Sequence, residues 1–131
     1  MRNTVLIVDN DAGARINKQA LLGGRGLHVI AATSATEACD IVCREGAAVV
    51  IISVSNGSGL KCAARLRGQC DTFIQPTPRF VVLADHEGRE VTDLHVDALM
   101  LQPVVPDHLI ATIEKLVAAS APQAAGMASG F

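Results

Sequence analysis

The chain has 131 residues, half of them apolar, with a formal net charge of −2; that length suits one domain with a core of its own. It has no Trp, no Tyr and only three Phe, which excludes aromatic platforms for single-stranded nucleic acid and a tyrosine nucleophile. Its 11 basic and 13 acidic residues are dispersed, without the basic patch that a polyanion partner requires.

The N-terminal stretch MRNTVLIVDND has one basic residue before a short apolar run. It lacks the longer apolar region and small-residue cleavage site of a secretory leader, and no later run approaches the ~18–20 residues that cross a membrane. A cytoplasmic chain with no membrane contact is expected.

Residues 4–8 form a continuous apolar run that ends at Asp9, Asn10 and Asp11, a strand and its rim loop. Residues 12–22 carry helix formers and stop at Gly23 and Gly24, with Gly26 just beyond. A second strand is expected over 27–32. Ser34 followed by Glu37 is a capping-box signature. It opens a helix whose Ala38, Ile41 and Val42 share a face and which ends at Gly46. Residues 47–54 make a third, strongly β-branched strand running into VSNGSG. Helical spacing returns over 59–67, and Pro76 and Pro78 mark 69–79 as a loop. A fourth strand spans 80–84, and a polar loop and a short helix over 90–96 follow. The fifth strand, 98–101, ends at Gln102 and Pro103. From Pro106, the residues Leu109, Ile110, Ile113, Leu116 and Val117 fall at helical spacing. Residues 120–131 read as a flexible tail or the start of a linker, which leaves 1–119 as the domain.

Strand–helix alternation through five strands predicts an α/β fold, a doubly wound five-stranded parallel sheet with helices on both faces. Sites in such sheets lie outside the carboxyl ends of the strands, here the loops 9–11, 53–58, 84–88 and 102–103. Cys39 and Cys43 are one helical turn apart and, with Cys62 and Cys70, make no CxxC pair; they read as small apolar residues. His28, His86, His95 and His108 lie in different elements without metal-ligand spacing.

VLIVDND, a third strand closed by a turn at Gly59 and Leu60, and LMLQPVVPDHL together resemble the receiver domain of two-component response regulators, over residues 4 to about 118. The resemblance implies a flavodoxin-like architecture, here with a shortened fourth helix because the segment between strands four and five is short. In that family an acid pair after strand one holds Mg²⁺, and an aspartate ending strand three accepts a phosphoryl group from a histidine kinase. A hydroxyl after strand four and a lysine before the strand-five proline contact the phosphate, and an aromatic residue reports the switch. Such a site needs a cation to offset charge and donors for the equatorial oxygens.

Most of those positions have changed in this chain. The acid pair falls on Asp9 and Asn10, with Asp11 one place further on. The acceptor falls on Ser53, the hydroxyl on Leu83 or Ala84, the lysine on Gln102 and the aromatic on Leu99. A serine hydroxyl becomes a phosphate ester only with a base to take its proton. A degenerate, or pseudo-, receiver is therefore expected: not an enzyme, without a cofactor, and with Asp9 and Asp11 as the remaining candidates for Mg²⁺. Its implied partners are signalling proteins such as a histidine kinase, a phosphotransfer protein or an attached output domain, or a second copy in a homodimer.

Two rival readings stand beside it. Asp9-Asn10-Asp11 after a first strand resembles the nucleophile and general acid of haloacid-dehalogenase-type phosphatases. The lysines such an enzyme needs on later rim loops are absent, since Lys18, Lys61 and Lys115 all fall on predicted helices. A nucleotide-binding regulatory domain would use Gly23, Gly24, Arg25 and Gly26, or Arg65 and Arg67. That glycine cluster follows a helix rather than a strand, which favours a helix cap over a phosphate cradle.

Overall fold

The structure, a computed structural model, describes residues 4–9, 11–54, 64–66, 68, 78–84, 96–101 and 105–120, the side chains of 35, 54 and 120 excepted. Five strands, β1 (Thr4–Val8), β2 (His28–Ala32), β3 (Val49–Val54), β4 (Arg79–Ala84) and β5 (Ala98–Leu101), form one sheet in the order β2-β1-β3-β4-β5. Every pairing is parallel, as the alternation of apolar runs and helices predicts. Three helices are described: α1 (Ala12–Gly23), α2 (Ala35–Glu45) and α3 (Pro106–Ser120). Ala64, Arg65 and Leu66 are helical too, within the predicted third helix. Of the predicted short helix over 90–96 only Val96 is described, and it is not helical; residues 90–95 and the tail from 121 lie outside the described residues.

The period-two alternation of the strands sorts the core into two layers. Leu6, Val8, Val50, Ile52, Phe80, Val82 and Ala84 face Ala38, Ile41 and Val42 of α2, and Leu66. Val5, Ile7, Val49, Ile51, Val81, Leu83 and Met100 face Leu22 of α1 and Leu109, Ile110 and Ile113 of α3. β1, β3 and β4 are buried on both faces, which is why they read as unbroken β-branched runs.

The helix ends follow the sequence cues. Ser34 Oγ accepts from the N–H of Glu37 at 3.2 Å, and Glu37 Oε1 accepts from the N–H of Thr33 at 2.8 Å. The capping box thus reaches one residue further back than the Ser34 N–H it usually serves. The Thr33 N–H, and then its hydroxyl, hold the Glu37 carboxyl below its usual range. α2 stops because Gly46 takes φ +76°, and beyond α1 Gly26 takes φ +80°, conformations that favour glycine. The glycine cluster at 23–26 is therefore the end of a helix and the turn after it.

Candidate functional site

In this strand order the chain turns from β1 outward to β2 and then back across to β3. The crevice between β1 and β3 is the switch point where open α/β sheets place their sites. Val8 pairs with Ile52, Ser53 with Leu83, and Leu83 with Met100. One step further along β1 sets Asp9 beside Ser53, so Asp9, Ser53, Leu83 and Met100 follow one another across the carboxyl rim. Three sequence-predicted positions, Asp9, Ser53 and Leu83, share this row. Ala84 and Leu99 belong to the opposite layer, facing α2. Asn10 and Gln102 lie outside the described residues.

Asp9 is 5% exposed, and each of its hydrogen-bonding groups has a partner. Its N–H donates to Ala32 O at 3.1 Å, and its C=O accepts from Arg15 Nη1 at 2.7 Å. Its Oδ1 accepts from the N–H of Asp11 at 2.9 Å, and its Oδ2 accepts from Lys18 Nζ at 3.0 Å. Lys18 is itself largely buried, its side chain 13% exposed. Arg15 and Lys18 are three residues apart on α1, so one face of that helix sends two cations to one residue.

Lys18 is the residue that sequence reasoning left on a helix and out of the site. It lies four residues before Leu22, which is fully buried, so a helical wheel anchored on Leu22 puts Lys18 on the inner stripe. A lysine there calls for a buried carboxylate partner, and Asp9 was the one available at the adjoining strand end.

Asp11 is committed elsewhere. It is the N-cap of α1, its Oδ1 accepting from the N–H of Ala14 at 3.1 Å. The pair of acids that the phosphatase reading needs is thus divided between an ion pair and a helix cap. Ser53 Oγ is buried and has no hydrogen-bond partner among the described residues. Such an orphan is not by itself a site, because Thr4 Oγ1 at the far end of β1 is in the same condition. With apolar Leu83 next in the row, nothing described there takes a proton from Ser53. Of the residues behind the nucleotide reading, Arg65 is exposed and Arg67 lies outside the described residues.

Cys39 is half-buried and Cys43 exposed on α2. Burial, then the neighbouring Cys43 thiol, pushes the Cys39 thiol up, so it stays neutral and packs as a small apolar residue. Among the described residues no group of three or more His, Cys, Asp or Glu is placed to hold a metal. No helix there is long and apolar enough to cross a membrane.

No protein-family model and no curated protein matches the chain. Solved structures do. A CheY-like receiver domain protein from Methanospirillum hungatei JF-1 matches with a TM-score of 0.74 at 17% identity, over 90% of this chain and 95% of the other. A response regulator from Thermotoga maritima matches at 0.72 and 22% identity, over 90% and 99%. A CheY-like receiver domain from Methylobacillus flagellatus matches at 0.72 and 23%, over 87% and 98%. At these identities the likeness shows the fold, and that fold is the receiver fold.

The Mg²⁺ that a receiver fold implies does not fit the described residues. Mg²⁺ binds through one or two carboxylates in near-octahedral geometry, whereas here the Asp9 carboxylate is already paired with the Lys18 ammonium and the Asp11 N–H, and Asp11 caps α1. A dication about 4 Å from the Lys18 ammonium would meet a repulsion of about 8 kcal/mol at an effective dielectric of about 20.

Proposed function

We propose that this chain is a degenerate receiver module: a phosphorylation-independent interaction or regulatory domain of a two-component or phosphorelay pathway, not an enzyme. The observation that carries this reading is the state of Asp9. Its carboxylate is paired with the Lys18 ammonium and accepts the Asp11 N–H at the switch point of the sheet. Beside it, the position where the resembled family carries its phosphoryl-accepting aspartate is Ser53, whose buried hydroxyl has no base among the described residues. Phosphoryl transfer needs charge-neutralising and equatorial contacts around the moving group, and Leu83 and Met100 in the same row supply none.

A pocket without mutually repelling carboxylates does not need a ligand to relieve them. Such a domain rests in one conformation and presents its surface permanently. Its partners are proteins of the pathway, among them a histidine kinase, a phosphotransfer protein or an output domain, with the cytoplasm as its place of work.

The test is incubation with acetyl phosphate and Mg²⁺ followed by intact-mass measurement. The mass is expected to stay unchanged; a phosphoryl adduct on Ser53, Asp9 or Asp11 overturns the reading. Turnover of a chromogenic phosphate ester that Asp9→Asn abolishes would instead favour the phosphatase.

A further inference from the structure

We propose that Lys18 is the resident cation of the Asp9 pocket: its ammonium is paired with the carboxylate that a divalent metal would use, so the pocket neither needs nor admits one. This deepens the module reading above and rests on it for its biological sense.

Three independent features converge on it. The Lys18 Nζ–Asp9 Oδ2 distance is 3.0 Å, with the side chains only 13% and 5% exposed; both charges are out of bulk water and fixed on each other. Arg15, on the same face of α1, donates to the Asp9 carbonyl at 2.7 Å, so a second cation is held at the same residue. The remaining oxygen, Asp9 Oδ1, is taken by the Asp11 N–H, and the Asp11 carboxylate is held at the Ala14 N–H. Admitting a dication requires expelling Lys18 from an inner position of α1, four residues before the buried Leu22.

A pocket loaded by free metal changes its charge as the metal comes and goes. Here the neutralising charge is covalently attached, so the β1–α1 junction keeps one state whatever the Mg²⁺ level. The cation also ties α1 to the rim, an attachment that a metal held only by β1 would not provide. The device removes a switch and leaves a scaffold.

The experiment compares the full chain with Lys18→Met and Lys18→Arg, each ¹⁵N-labelled and titrated with MgCl₂ into the tens of millimolar, with melting temperature recorded alongside. The wild type and Lys18→Arg are expected to show no saturable shifts at the amides of Asp9, Asp11 and Ser53, and no change in melting. Lys18→Met is expected to melt lower, to acquire saturable shifts at those amides, and to recover part of its lost melting temperature with Mg²⁺. Equal responses from the wild type and Lys18→Met overturn the proposal. Should Lys18→Met fail to fold, the wild-type titration decides: saturable shifts at Asp9 overturn it, and silence supports it. The two proposals fail separately, since a phosphoryl adduct concerns the module reading and wild-type Mg²⁺ binding concerns the resident cation.

Discussion

Asp9 and Asp97 close opposite edges of the same sheet, each with one cation and one backbone N–H, yet the two sites differ in burial. At the carboxyl rim, Asp9 and Lys18 meet at 3.0 Å with 5% and 13% of their side chains exposed. At the amino edge, Asp97 takes the N–H of Phe80 at 2.7 Å, and Arg79 approaches it only to 3.5 Å. There the side chains are 27% exposed for Asp97 and 44% for Arg79. The chemistry is the same in kind, but water reaches the second pair far more than the first. The backbone bond carries most of the value at the amino edge, whereas the ion pair itself is the structural element at the rim. At the rim the lysine is held against the carboxylate within the fold, whereas at the amino edge the arginine lies largely in solvent.

The largest effect is expected at the rim. Lys18→Met leaves a buried carboxylate with only the Asp11 N–H, and is expected to cost about 3 kcal/mol. For a domain of this size that is a fall in Tm of roughly 10 °C by calorimetry. At the amino edge, Asp97→Ala removes a charged acceptor from Phe80 and is expected to cost about 1.5–2 kcal/mol in urea unfolding. Equal losses at the two edges would break the comparison. Ser53→Ala is expected to change stability by less than about 0.5 kcal/mol, because the hydroxyl it removes has no described partner to lose. A loss well above that would give Ser53 a structural bond that the comparison denies it.

Most of the fold was legible in the sequence because its strands are buried on both faces and its helices carry their own punctuation. The apolar runs expected over 4–8, 47–54 and 80–84, the Ser34–Glu37 cap and the stop at Gly46 are all local signals, and each marks an element or an end that the structure contains. Strand starts moved by one or two residues: β2 begins at His28 rather than 27, β3 at Val49 rather than 47, and β4 at Arg79 rather than 80. Hydropathy does not record where a ladder bond begins.

The site was legible where it depends on strand ends. Asp9 and Ser53 follow from apolar runs reaching a rim; the end of the fourth run points to Ala84, which faces the other layer, whereas Leu83, offered by the resemblance, is the one that pairs with Ser53. Lys18 did not follow, because a charged residue on a helix is assigned to solvent until a buried partner is known. Asp9 is nine residues away in another element, outside any helical spacing. Asp11 is the complementary case: as a cap its role is local, but an acid beside a rim invites a ligand reading that only its bond to Ala14 redirects.

The most direct measurement is a pair of double-mutant cycles in urea unfolding, one for Lys18→Met with Asp9→Asn, the other for Arg25→Ala with Glu114→Ala. Arg25 and Glu114 meet at 3.5 Å with side chains 53% and 43% exposed, so they supply the solvated reference. The rim cycle is expected to give a coupling of about 1.5–3 kcal/mol and the reference one below about 0.5 kcal/mol. A rim coupling as small as the reference would mean that Lys18 only rests against Asp9. That would leave the carboxylate free for a metal and contradict the account.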